Sequence, residues 1–261
     1  MSDMLRDRRT DLIARAVPRG VEVPIATGSA VLRDETDGST TVFVNGVASS
    51  SLRADPADLD FEYMRHAAAA IAAWGPPVGM TVLHVGGAAC TFPRHLAHRY
   101  PDSRHLVIEI DPVLARLARE WGDLPRAPRL RIRVADGLEA LRSRPDASVD
   151  VLVRDAFAGD ATPAHLSDEE WWREVRRVVR PGGLAVANVA AVPRSDAGRR
   201  DARFAGRAFA FACAVGEPAA LGGTRVGNAT IVAGDALDVD SLRRYAASAP
   251  LPTVVRIGWG R

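Results

Sequence analysis

Short apolar runs that alternate with helix-like segments dominate the chain from about position 80 onward. Runs typical of buried strands lie at 81–86, 105–110, 129–134, 149–154, 183–189 and 227–233. Helix-like segments fall at 91–100, 112–121, 137–144 and 167–180, and further ones follow at 204–215 and 240–248. Near-continuous apolar strands separated by helices predict an α/β doubly wound fold with a mostly parallel sheet covered on both faces.

The N-terminal part follows a different pattern. Residues 1–20 are polar and Arg-rich, and we interpret them as a frayed lead-in or a short helix. Short β-type runs at 21–25, 29–33 and 40–44 predict a small antiparallel β domain over 21–58. A loop over 49–60 is predicted to follow the last of these runs. A helix from about Leu59 to Trp74, ended by Gly75-Pro76-Pro77, then opens the main domain over 59–261.

The run that ends in Gly86-Gly87 is the first candidate site. It passes from a strand through a tight turn into a helix, whose free N–H groups point at the turn. About 20 residues further on, the run Leu106-Val107-Ile108-Glu109-Ile110-Asp111 ends in carboxylates, where a nucleoside ribose needs a hydroxyl acceptor. The spacing therefore predicts a nucleoside site.

Asp136-Gly137 follows the third strand, at the same carboxyl edge of the predicted sheet. A nucleoside laid across that edge would present its adenine there, so Asp136 is a candidate partner of the exocyclic amine. The alternative is an N-cap for the following helix, and one residue can do both.

Asp155 ends the fourth strand and faces the crevice in which such sheets bind ligands. The alternative is a solvated turn residue. If an acceptor must lose a proton, Asp155 is the first candidate base and His165, in the following loop, is the second.

Composition excludes several classes of function. The net charge of +2 and the scattered arginines argue against a nucleic-acid partner. All 34 basic residues are Arg, which excludes Schiff-base catalysis through a lysine of this chain. The two cysteines lack metal-ligand spacing, so we expect no metal. No apolar run of about 18 residues and no signal-peptide pattern occur, so we expect a cytoplasmic protein without a membrane partner.

Taken together, these pieces resemble the class I S-adenosylmethionine-dependent transferases. Within them, the chain is most similar to the spermidine synthase (polyamine aminopropyltransferase) family over roughly residues 21–235. The resemblance rests on the Gly86-Gly87 turn, Val107-Ile108-Glu109-Ile110-Asp111, Asp136-Gly137, Asp155, Arg180-Pro181-Gly182-Gly183-Leu184, Asn45-Gly46-Val47 and Phe61-Glu62-Tyr63.

The resemblance implies a Rossmann-like fold of the class I methyltransferase type and a homodimer. It also implies binding of S-adenosylmethionine, or of its decarboxylated form, by Gly86, Gly87, Glu109, Ile110, Asp136, Gly137 and Asp155. In that family Glu109 would bind the ribose hydroxyls, Asp136 and Gly137 would flank the adenine, and Asp155 would be the catalytic aspartate.

The chain departs from the family pattern in the motifs that bind the amine groups of donor and acceptor in that family. Gly87-Ala88-Ala89-Cys90 offers no carboxylate, and Asp155-Ala156-Phe157-Ala158 lacks the family's second acid. A diamine carries two ammonium groups, and burying them requires paired carboxylates. We therefore expect methyl transfer to a small-molecule acceptor that is not a polyamine. Aminopropyl transfer from decarboxylated S-adenosylmethionine and a non-catalytic nucleoside-binding scaffold are the alternatives.

Overall fold

Two sheets organise the computed structural model, which describes residues 19–260. The predicted lead-in over 1–20 lies almost entirely outside the described residues. The first sheet is antiparallel, with the order β1 to β4, and its strands are Glu22–Ile25, Gly28–Asp34, Thr40–Val44 and Val47–Leu52. The predicted boundary of this small domain at residue 58 stays a prediction.

The fourth strand of the small sheet corrects the predicted loop over 49–60. β4 (Val47–Leu52) pairs with β3 across a register shift at Val42/Phe43. Its serine-rich sequence is typical of a loop, but Ser50 and Ser51 are buried in the strand. Their hydroxyl groups are satisfied by partners outside the strand, since Ser50 accepts from the Ala89 N–H and Ser51 bonds to a carboxylate. Tertiary contacts therefore outweigh the local preference.

The second sheet has eight strands in the order β12-β10-β11-β9-β8-β5-β6-β7. The five strands β5 to β9 pair with one another in parallel. β11 pairs antiparallel with β9, and β10 pairs antiparallel with both β11 and β12. Their bounds are Thr81–Val85, Arg104–Glu109, Leu130–Val134, Val149–Arg154, Val179–Ala191, Phe211–Gly216, Gly227–Gly234 and Val254–Ile257. The predicted mostly parallel α/β sheet with a small antiparallel sheet before it is confirmed.

Helices cover both faces of the large sheet. They are α1 Glu62–Trp74, α2 Thr91–Arg99, α3 Pro112–Trp121, α4 Gly137–Arg142, α5 Glu169–Val178, α6 Ala197–Ala208, α7 Pro218–Leu221 and α8 Val239–Ser248. Side chains of α1, α2 and α8 pack on one face, against Val82, Val151 and Val186. Those of α4, α5 and α6 pack on the other face, against the alternate strand positions Leu83 and Leu152.

The predicted helix over 204–215 is wrong. α6 ends at Ala208, and β10 runs from Phe211 to Gly216 between β11 and β12. Apart from Arg207 and Gly206, residues 204–215 are all apolar, and such a run does not distinguish a buried helix from a buried strand by its periodicity. The helix predicted over 167–180 likewise ends earlier, because β9 already begins at Val179.

Candidate functional site

The candidate site lies where the chain changes direction across the large sheet. From β5 the chain continues to β6 on one side, and β8 pairs with β5 on the other, which leaves a crevice at the carboxyl ends. Gly86 has φ +83° at this point, and a Cβ there would meet the Asp155 carbonyl oxygen at 2.2 Å. A side chain is therefore excluded, and the turns after β5 and β8 approach each other closely.

Glu109 ends β6 at this edge and is buried. One carboxylate oxygen accepts from the Gly87 N–H at 3.3 Å, and the other accepts from the Asp111 N–H at 3.0 Å. Burial raises the pKa of Glu109, although these backbone hydrogen bonds oppose it. A carboxylate has about four acceptor positions, so capacity remains for ligand hydroxyls. The next residue, Ile110, is 59% exposed and presents an apolar surface beside the carboxylate.

Asp111 joins the two sheets. One of its oxygens caps α3 by accepting from the Val113 and Leu114 N–H groups. The other accepts from the Thr27 N–H at 2.6 Å and from the Thr27 hydroxyl at 2.9 Å. Burial alone would raise the pKa of Asp111, but the hydrogen bonds from Leu114 and Thr27 outweigh it and lower the pKa. The small sheet is thereby fixed to the edge that carries Glu109.

Asp136 follows β7 and has both of its oxygens in use. One oxygen caps α4, as the N-cap alternative predicts, and the other lies 2.8 Å from His165 Nε2. Burial raises the pKa of Asp136, but the α4 cap and His165 outweigh it and lower the pKa. Gly137 is buried, and a Cβ there would come within 2.5 Å of Val85, so packing alone requires a glycine.

Asp155, which follows β8, is held by two donors. Tyr63 Oη donates to Oδ2 and Asn188 Nδ2 donates to Oδ1, both at 2.9 Å. Burial raises the pKa of Asp155, and the two hydrogen bonds oppose it. Burial and the negative charge of Asp155 raise the pKa of Tyr63 well above its usual value. Asn188 is 6% exposed, and its Oδ1 has no hydrogen-bond partner within residues 19–260.

The two candidate bases have different surroundings. His165 lies in a short 3₁₀ turn, Ala164–Leu166, and contacts Asp136 rather than sharing the donors of Asp155. Sequence reasoning missed Asn188 and did not give Tyr63 a role in the site. A signal existed for both: Tyr63 lies in a piece that carries the family resemblance, and Asn188 is a polar residue within the apolar strand Leu184–Val189.

A buried ion pair supports the strand end that carries Asp155. The Arg154 guanidinium is fully buried and bonds to the Asp201 carboxylate and to the Leu166 carbonyl. Trp172 Nε1 donates to the same carboxylate at 2.6 Å. Removing one member would leave an uncompensated buried charge beside the site.

Two absences apply to the described part of the chain. Between residues 19 and 260, no group of three or more His, Cys, Asp or Glu side chains is arranged to hold a metal ion. Over the same range, no helix combines the length and the apolar character needed to cross a bilayer.

Known proteins are similar to this chain in both sequence and fold. The family described as methyltransferase domain matches residues 83–187. The crystal structure of a probable spermidine synthase from Corynebacterium glutamicum has a TM-score of 0.86 and 31% identity, over 94% of this chain and 93% of that chain. Polyamine aminopropyltransferase 2 of Streptomyces coelicolor is 33% identical over 92% of this chain and 42% of its own length. The mouse eEF1A lysine and N-terminal methyltransferase is 26% identical over 51% of this chain and 20% of its own length.

The fold and the crevice at its carboxyl edge define a class I S-adenosylmethionine-dependent transferase fold. Within that class, the chain belongs to the spermidine synthase-like family, because the likeness to the Corynebacterium protein spans nearly the whole of both chains. The chain spans only 20% to 46% of the length of the first curated relatives it matches.

Proposed function

We propose that this chain binds S-adenosylmethionine along the edge from Gly86 to Asp136 and directs its methyl group to a small-molecule acceptor that is not a polyamine. The remaining acceptor capacity of Glu109 suits the ribose hydroxyls. The exposed side chain of Ile110 suits one face of the adenine. Asp136 and Gly137 would border the adenine, with His165 behind Asp136.

The main support for this proposal is the small number of carboxylates on the acceptor side of the edge. Asp155 lies on the acceptor side with the amide of Asn188 beside it, and the turn 87–90 has no acid. Of the other acids of the edge, Asp111 and Asp136 are engaged with backbone N–H groups, Thr27 or His165, and the remaining capacity of Glu109 is assigned to the ribose. On the acceptor side this leaves Asp155, one carboxylate for one nucleophilic nitrogen, whereas a buried diamine needs one for each ammonium group.

In the proposed reaction, S-adenosylmethionine supplies an electrophilic methyl group, whose bond to sulfur breaks as the acceptor nitrogen bonds to carbon. The chain's own part is mostly positioning. The orphan Oδ1 of Asn188 accepts an N–H of the acceptor and so orients its lone pair. Asp155 takes the proton that the nitrogen loses, and Tyr63 and Asn188 stabilise the carboxylate before that transfer.

Aminopropyl transfer from decarboxylated S-adenosylmethionine is the second candidate. It is supported by the relatives that bear the name polyamine aminopropyltransferase. The turn 87–90 argues against it, because the ammonium group of that donor would find no carboxylate there.

Calorimetric titration with each donor separates the candidates. Tighter binding of S-adenosylmethionine supports methyl transfer, and tighter binding of the decarboxylated form overturns it in favour of aminopropyl transfer. Asp155→Asn should retain donor binding and lose turnover. Asp160→Asn, in the exposed loop that follows, is the matched control and should lose neither. Binding of neither donor would refute both candidates.

Assembly is part of the proposal. The family resemblance implies a dimer, and the small sheet over 21–58 would either join two copies of the chain or cover the site. Light scattering on the purified protein should give the mass of a dimer, and a monomer at all concentrations would contradict this.

A further inference from the structure

Strands β9 and β11 continue as an antiparallel pair beyond the level of Asp155. Asn188 of β9 lies opposite Thr230 of β11, and the next pair outward on the same face is Ala190 opposite Asn228. Asn188 donates to Asp155 at 2.9 Å, and the Thr230 hydroxyl donates to a carbonyl in the first turn of α1 at 3.4 Å. The face that carries Asn228 is therefore the face that bears the proposed acceptor side.

The burial pattern shows that the outer part of this face is open. Asn188 is 6% exposed, whereas Asn228, one pair further outward, is exposed. The strand neighbours Ala191 and Ala229 point to the opposite face and are buried in the core there. On the open face Ala190 contributes only a methyl group, which leaves room for a ligand between the two amides.

Both amides have unused hydrogen-bonding capacity. The Asn228 side chain forms no hydrogen bond with any residue between 19 and 260, and over the same range Asn188 Oδ1 has no partner. The two residues are diagonal neighbours across the strand pair, and such positions are about 7–8 Å apart. An acceptor held at Asp155 and Asn188 can therefore reach Asn228 with a short chain.

We propose that Asn228 determines acceptor specificity by binding an uncharged amide group of the acceptor, while the nucleophilic nitrogen lies at Asp155. The proposal rests on the proposed function and names the class of acceptor, an amine that carries an amide a few bonds away. An amide side chain both donates and accepts, so it pairs with another amide through two hydrogen bonds. A diamine of matching length would place its second ammonium group at Asn228, where no carboxylate compensates the loss of its hydration. One residue thus both selects an amide and rejects a polyamine.

The test uses three probes that have the same four-carbon chain and differ only at one end. They are 4-aminobutanamide, butylamine and 1,4-diaminobutane, each titrated calorimetrically into the protein saturated with S-adenosylhomocysteine. The amide probe should bind about three- to tenfold more tightly than butylamine, as expected for one or two neutral hydrogen bonds. The diamine should bind no more tightly than butylamine, because Asn228 offers its second ammonium group no opposite charge.

Two substitutions test the assignment to Asn228. Asn228→Ala should abolish the advantage of 4-aminobutanamide and leave the affinity for butylamine unchanged. Asn228→Asp supplies a second carboxylate and should let 1,4-diaminobutane bind at least about tenfold more tightly than it binds the parent protein. Ala236→Asp is the matched control, since Ala236 is exposed just beyond the other end of β11, and it should change no ratio of affinities. Because the Asn228 side chain is exposed and unbonded within residues 19–260, its substitutions should leave the thermal unfolding curve unchanged.

Equal affinity for 4-aminobutanamide and butylamine would overturn the inference. An equal gain for the diamine in Asn228→Asp and Ala236→Asp would also overturn it, since that would reflect general surface charge. Failure of the proposed function has a different signature. If S-adenosylhomocysteine does not bind, the same probes are titrated into the free protein. Amide-dependent binding that Asn228→Ala abolishes, with no methylation of 4-aminobutanamide by S-adenosylmethionine in mass spectrometry, would retain the role of Asn228 and refute methyl transfer.

Discussion

Replacing Tyr63 with Phe isolates one hydrogen bond of the proposed acceptor site. Tyr63 Oη donates to Asp155 Oδ2 at 2.9 Å, and the Tyr63 ring stacks on Phe61 with 5.8 Å between centroids. Phenylalanine keeps the ring and its packing, so the change removes only the hydroxyl group. Asp155 retains the donor Asn188 Nδ2 at 2.9 Å.

The size of the expected rate loss follows from the negative charge of the Asp155 carboxylate, which accepts this hydrogen bond. A hydrogen bond to an ionised group contributes about 1.5–3 kcal/mol, which corresponds to about 10- to 150-fold in rate. The hydroxyl favours the ionised form of Asp155, so its loss raises the pKa of that carboxyl further. The loss of kcat/KM in Tyr63→Phe should therefore be largest at low pH and should shrink as the pH rises and Asp155 ionises.

The assay is the pH profile of kcat/KM together with calorimetric binding of S-adenosylmethionine. Tyr100→Phe is the matched control, because Tyr100 is half-buried and lies in another part of the chain. The control should leave the profile unchanged, and both variants should bind the donor as the parent protein does. A loss in Tyr63→Phe that is equal at every pH and parallels weaker donor binding would refute the reasoning, since it would indicate a structural role.

Three further predictions concern the donor site, the buried ion pair and acid stability. Glu109→Gln should weaken calorimetric binding of S-adenosylmethionine by about 1–3 kcal/mol, because the ribose hydroxyls lose a charged acceptor. Asp201→Ala should lower the free energy of unfolding in urea by about 3–5 kcal/mol by leaving Arg154 unpaired, and leucine at both positions should restore most of it. Burial lowers the pKa of His84 well below 6.5 and that of His105 to about 4, so the unfolded chain takes up protons first. The free energy of unfolding should therefore fall as the pH drops from about 6.5 towards 4, and an unchanged value over that range would contradict this.

The large sheet was predictable because its central parallel strands, such as β5 and β8, are buried on both faces and therefore read as apolar runs. The prediction was wrong for β4 and β10, where an apolar sequence and a buried strand do not correspond in this way. β4 contains consecutive serines that are satisfied only by distant partners such as the Ala89 N–H. β10 follows α6 after a short break, and the mostly apolar segment 204–215 fits a helix or a strand equally well. Pairing with β11 and β12 decides its structure, and that pairing is not visible in the local sequence.

The candidate site was predictable only where its residues end strands. Parallel strands place their carboxyl ends at one edge, so Glu109 and Asp155 could be assigned to the crevice from their positions alone. The partners of Asp155 could not, because Tyr63 lies 92 residues before it and Asn188 lies 33 residues after it. Neither contact follows from periodicity, since each depends on which strand or helix packs beside β8.

The small sheet and the proposed donor site depend on each other. Asp111 binds Thr27 with one oxygen while its backbone N–H donates to Glu109, and the Ala89 N–H of the glycine turn donates to the Ser50 hydroxyl of β4. The glycine turn is thus one hydrogen bond away from the small sheet, and Glu109 is connected to it through Asp111 by two. A ligand that fixes Glu109 and the turn also fixes the partners of Thr27 and Ser50, and by reciprocity an ordered small sheet favours the ligand. We therefore expect the small sheet to contribute to the affinity of the proposed donor site, whether or not it also joins two copies of the chain.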